Sequence, residues 1–111
     1  MSEYNPDSWV IIKVTGIEEK PFYKVLAGWS GGYLDGDSWR MNSGIDKVEQ
    51  DENYYSFIGA SGSVYKCHKE GERLGMLTSS IYTQLKAKHG DQLELVPVED
   101  IWATPPREDD D

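Results

Sequence analysis

Cys67, His68 and His89 are the side chains of this chain best suited to nucleophilic, acid–base or metal chemistry. A thiol nucleophile needs an imidazole within hydrogen-bond reach, and a zinc site needs three or four ligands at matched spacing. One cysteine and two histidines in 111 residues leave such a set short of members. They also exclude an intramolecular disulfide and a cysteine-based structural zinc site. The pair at 67 and 68 reads instead as a buried cysteine beside an exposed histidine. Gly59-Ala60-Ser61-Gly62 is a loose likeness of a nucleophile elbow, but residue 63 is Ser where Gly is needed, and the elbow joins a strand to a helix. Asp35-Gly36-Asp37-Ser38 opens like a calcium loop and then lacks the later ligands and the closing glutamate. Gly28-Trp29-Ser30-Gly31-Gly32 has neither the lysine of a phosphate loop nor a helix after it. The expectation is therefore a protein that is not an enzyme, with no catalytic residues, no metal and no cofactor.

The residues that invite recognition are aromatic. Gly28 to Ile45 holds five glycines, Trp29, Tyr33 and Trp39, with Arg40 beside the last. Trp, Tyr and Arg dominate binding hot spots, and loops carry function when a scaffold positions them. Trp29, Tyr33, Asp35, Asp37 and Arg40 are the candidate partner-binding residues, with the two aspartates as rim charges. Trp39 is expected to plug the core, leaving Trp29 or Tyr33 more exposed.

Net charge of −9 argues against direct nucleic-acid binding, which relies on clustered Lys and Arg. It suits a basic partner, or a surface that imitates nucleic acid through Glu18-Glu19, Asp51-Glu52, Glu99-Asp100 and the acidic end of the chain. No apolar run reaches the roughly 18 residues of a membrane span. The opening MSEYNPDS does not resemble a signal peptide, so a cytoplasmic location is expected.

The elements that position these residues can be read in order. Met1 to Ser8 is polar and expected to fray. Trp9–Val14 is rich in β-branched residues, with Val10, Ile12 and Val14 on one face and Trp9 and Ile11 on the other, so it is covered on both sides near its start. Phe22 to Ala27 runs into the glycines. A strand from Ser38 to Asn42 is interrupted at Ser43-Gly44 by a bulge or bend and resumes over Ile45–Gln50. Tyr54–Gly59 and Ser63 to Lys69 form a hairpin whose three-residue connection ends on Gly62 in a left-handed conformation. Leu77, Ile81 and Leu85 repeat at helical spacing, which predicts a helix over 79–89 with Thr78 or Ser79 as N-cap and Gly90 as terminator. Gln92 to Val98 reads as an edge strand interrupted by Pro97. Ile101 and Trp102 fold back on the body. The fold class is α+β: a curved, mainly antiparallel sheet or small open barrel of five to six strands with one helix near 79–89. One domain spans 1–102, and 103–111 is a disordered acidic tail.

Trp39-Arg40-Met41-Asn42-Ser43-Gly44-Ile45, followed by Tyr55, Phe57 and Ser61-Gly62-Ser63-Val64-Tyr65, resembles a pattern in small bacteriophage and prophage accessory proteins. The resemblance covers a minority of the chain and carries no catalytic residue. It implies a phage setting, in which short acidic proteins bind and block host machinery. The expected function is thus a non-catalytic protein-binding module, a phage-encoded inhibitor of a host factor or an anti-defence protein. Its partner would be a host protein with a basic surface. The alternatives are an acidic nucleic-acid mimic and a small-ligand-binding domain or small enzyme at the glycine-rich loop.

Overall fold

The computed structural model describes residues 3–30 and 38–103. Its strands are β1 (Glu3–Tyr4), β2 (Ser8–Val14), β3 (Phe22–Trp29), β4 (Ser38–Met41), β5 (Ile45–Gln50), β6 (Tyr54–Gly59), β7 (Val64–His68) and β8 (Leu93–Val96). The helices are α1 (Met76–His89) and the short α2 (Asp100–Ala103). The protein is α+β, as expected, and its described strands pair antiparallel except where β1 runs parallel to β7; an isolated parallel bridge also joins Trp9 to Glu72. The expected mainly antiparallel α+β architecture is present, with more strands than the five to six expected: eight among the described residues form two four-stranded sheets, in the orders β1-β7-β6-β5 and β4-β3-β2-β8, which do not close into a barrel.

The β4-β3-β2-β8 sheet is the middle layer. Along β2 every side chain except Lys13 is buried, because the two faces of the strand feed two different cores. Trp9 and Ile11 join Val25, Ala27 and Val96 against Phe57, Tyr65 and Cys67 of the other sheet. Val10, Ile12 and Val14 join Leu26 and Leu93 on the opposite face, where Ile81, Tyr82 and Leu85 of α1 cover them. Period-2 alternation in a doubly covered strand produces two cores from one segment.

Ser43-Gly44 does more than interrupt a strand. β4 pairs with β3 in the middle sheet, whereas β5 pairs with β6 in the outer one, so the chain changes sheets across Asn42–Gly44. Asn42 is the buried pin of that corner: its side-chain Oδ1 accepts from the Val25 backbone N–H at 3.0 Å, while its backbone N–H donates to the Val25 carbonyl at 3.2 Å. The β6–β7 hairpin follows the sequence reading. Gly62 has φ +92°, and its N–H donates to the Gly59 carbonyl at 2.9 Å.

Three boundaries move. Glu3–Tyr4 does not fray but pairs with Val64 and Tyr65. α1 begins at Met76, three residues before the predicted start, because Gly75 is the N-cap and Thr78 sits inside the first turn. There the Thr78 Oγ1 accepts from the Gly75 N–H at 2.8 Å, a capping role usually filled by Glu or Gln. β8 ends at Val96, before Pro97, and the chain turns into α2, which packs Ile101 against the main core. Residues 104–111, most of the segment read as an acidic tail, lie outside the described residues.

Candidate functional site

The two predicted recognition residues that can be placed, Trp29 and Arg40, meet through a third. Antiparallel β3 and β4 put Arg40 opposite Ala27 and Trp29 opposite Ser38. The Arg40 guanidinium lies 4.6 Å over the centroid of the Tyr4 ring. Tyr4 in turn takes Trp29 edge-on at 6.2 Å and tilts against Tyr65 at 4.9 Å. The Trp29 indole donates to the Asn5 carbonyl at 2.9 Å. Burial pushes the Tyr65 hydroxyl up from its ordinary value, and the Arg40 charge and hydrogen bond beside it work the other way. This cluster therefore fastens β1 of the outer sheet to β3 and β4 of the middle one. Trp29 is half-buried by that task. Tyr33, Asp35 and Asp37 lie outside the described residues.

Trp39 corrects the sequence reading. It was expected to plug the core, yet 42% of its surface is exposed. The reason is positional: β4 is an edge strand of four residues, and Trp39 stands opposite Gly28 on the helix side of the sheet. At that end α1 is only beginning. Its first residue, Met76, is 89% exposed. Ser30, Ser38, Met76 and Thr78 help line a niche of about 20 Å³ beside Gly28, large enough for one or two waters and no more. Exposed Trp39 and Met76 are the features that sequence reasoning missed. Their exposure depends on tertiary placement, Trp39 on an edge strand and Met76 as the first residue of α1.

The residues with reactive side chains are held apart. Cys67 faces the core, fully buried, and burial alone pushes its thiol well above the ordinary range. His68, its neighbour on β7, points outward; its Nδ1 accepts from the Glu70 amide at 3.2 Å, and Tyr54 meets its ring edge-on. His89 ends α1, beyond the middle sheet from both. Ser61 is exposed at the hairpin tip, whereas His68 lies at the far end of β7, about 13 Å along the strand at ~3.3 Å per residue. Among the described residues, no three His, Cys, Asp or Glu side chains gather as a metal site requires.

The acidic residues considered for mimicry have several internal partners. The Asp51 Oδ1 caps the β5–β6 turn, accepting from the amides of Asn53 and Tyr54 at 2.8 Å each, and these bonds hold its carboxyl below the usual value. The Asp100 Oδ2 accepts from the Tyr23 hydroxyl at 2.9 Å and lies 4.0 Å from the Lys13 ammonium. No protein-family model, curated protein or solved structure matches this chain.

Proposed function

We propose that this protein is a non-catalytic binding module that docks a partner protein on the end of the middle sheet where β4 meets the start of α1. The observation that carries the reading is the joint exposure of Trp39 and Met76 beside the edge strand β4. A large aromatic and a flexible thioether, both exposed at this end of the fold, are the side chains that partners bury. The chain as a whole carries an excess of acid, which favours a partner with a basic surface. The resemblance to small phage accessory proteins supplies the setting: an inhibitor of a host factor, or an anti-defence protein, in the cytoplasm of a bacterial host. Among the described residues no helix is long and apolar enough to cross a membrane.

Imitation of a nucleic-acid backbone is the weaker reading, because Asp51 and Asp100 are spent on internal bonds. The experiment that tests the proposal is quantitative capture of a partner from a bacterial lysate by the immobilised protein. Truncation of Trp39 and Met76 should abolish capture in a protein that still folds. Reversal of charge at Glu52 and Glu99 should only raise its salt sensitivity. The opposite pattern would replace docking with mimicry.

A further inference from the structure

Among the described residues, the helix-facing side of β2 and β3 is apolar except for Ser8 at the start of β2, glycine at Gly28 and one charged position. On β3, Phe22 and Leu26 face α1, and Lys24 sits between them. Lys24 is half-buried, and among the described residues its ammonium has no ion pair or side-chain hydrogen bond. In a chain with 20 acidic residues and 11 basic ones, an unpaired lysine on a core-facing position calls for an explanation. A lysine can snorkel its stem along apolar surface to reach water. Here, however, the stem borders a cavity.

Between the C-terminal half of α1 and the sheet lies a cleft of about 130 Å³. Val14, Phe22 and Leu93 line it from the sheet, Leu85 from the helix, with Lys24 and His89 as its basic members. Ile17, 61% exposed, stands at its rim from the β2–β3 connection. An apolar cavity of about 150 Å³ accepts a benzene ring, so this volume suits one ring or a short branched chain. Mostly apolar walls with a few convergent polar groups are the usual form of a small-molecule site.

We propose that this cleft binds a small aromatic or branched aliphatic carboxylate, its hydrocarbon part on Phe22, Leu85 and Leu93 and its carboxylate toward Lys24. The charge follows from the lining: among the described residues that line the cleft, Lys24 carries a positive charge and none is acidic. The C-terminal end of a helix disfavours an anion, which places the carboxylate on the Lys24 side of the cleft, away from the last carbonyls of α1. This site lies at the opposite end of α1 from the docking surface and does not depend on it.

Benzoate, benzyl alcohol and benzylamine test the assignment, each titrated at millimolar concentration into the full chain and followed by backbone amide shifts. Benzoate should perturb the amides of Val14, Phe22, Leu85 and Leu93 in a saturable way and bind most tightly of the three. Lys24→Met keeps the stem and removes the charge. It should weaken benzoate by about tenfold, the loss of a charge-assisted contact, and leave benzyl alcohol within about twofold. Leu85→Trp, which fills the cleft, should abolish binding of all three. Equal binding of benzoate and benzyl alcohol, or benzoate binding that ignores Lys24→Met, overturns the carboxylate. No saturable shifts around the cleft with any of the three overturns the site.

Discussion

A methyl group placed on Gly28 would stand 2.8 Å from Cγ2 of Thr78, closer than real side-chain carbons approach. The first glycine of the glycine-rich stretch is therefore not part of a loose loop. It lies inside β3 and is the seat on which the first turn of α1 rests. Thr78 is only 2% exposed and caps its own helix, so it has little room to yield. Gly28→Ala is expected to destabilise the protein by about 1–3 kcal/mol through overpacking. In chemical denaturation the double variant Gly28→Ala/Thr78→Ser, which removes Cγ2 and keeps the capping hydroxyl, should recover part of that loss. Strict additivity of the two changes would show that the contact is not the cause.

The two tryptophans flanking the niche should separate on stability. Trp39→Ala removes an exposed ring from an edge strand and should change unfolding free energy by no more than about 0.5 kcal/mol. Trp29→Ala removes the hydrogen bond to Asn5 and the edge contact to Tyr4, and should cost about 1–3 kcal/mol. Urea melts of the two variants decide it. A cost for Trp39→Ala as large as that for Trp29→Ala would mean the edge of β4 is covered in solution.

Glu72 gives the stability a pH dependence of definite sign. Its Oε2 accepts from the Val98 amide at 2.8 Å. Burial pushes its carboxyl up; the Val98 hydrogen bond opposes that rise, and the nearby Glu99 charge adds to it. With the folded value above the unfolded one, the folded chain holds more proton than the unfolded chain across that interval. The Glu72 contribution to stability thus falls as pH rises through the range just above 4.5. Glu72→Gln keeps an acceptor for Val98 and should flatten that slope, read as the difference between wild-type and variant melts at successive pH values. Glu72→Ala leaves the buried Val98 N–H without a partner and should cost about 1–3 kcal/mol.

Cys67 should be silent toward alkylating reagents while the protein is folded. Its side chain has no exposed surface, and burial holds it as the thiol rather than the reactive thiolate. Iodoacetamide labelling followed by mass spectrometry should show modification only as denaturant unfolds the chain, tracking the unfolding curve. Rapid labelling in native buffer would place Cys67 in an accessible site and reopen nucleophilic chemistry for it.

Local pattern in the sequence determined the elements. Trp9–Val14 alternates two sets of apolar residues, and a strand of that kind must be covered on both faces whatever it packs against. Gly62 closes a hairpin because the connection is short and one residue must turn left-handed. Leu77, Ile81 and Leu85 repeat at helical spacing, and Gly90 ends the helix where the pattern stops. Each of these depends on neighbours within a few positions, so each was legible.

What only the tertiary structure decided was which elements share a sheet and which aromatic side chains remain outside. A break at Ser43-Gly44 looks the same in sequence whether the strand bulges or the chain changes sheets; pairing with β3 or β6, tens of atoms away along the backbone, makes the difference. The exposure of Trp39 rests on its place in the edge strand β4 beside the start of α1, and only the pairing of β4 with β3 puts it there. The cleft at Lys24 draws residues from four strands, a connection and a helix, so no contiguous stretch could reveal it. Elements follow from local spacing, but surfaces and cavities are made by convergence, and convergence is paid for by contacts distant in the chain.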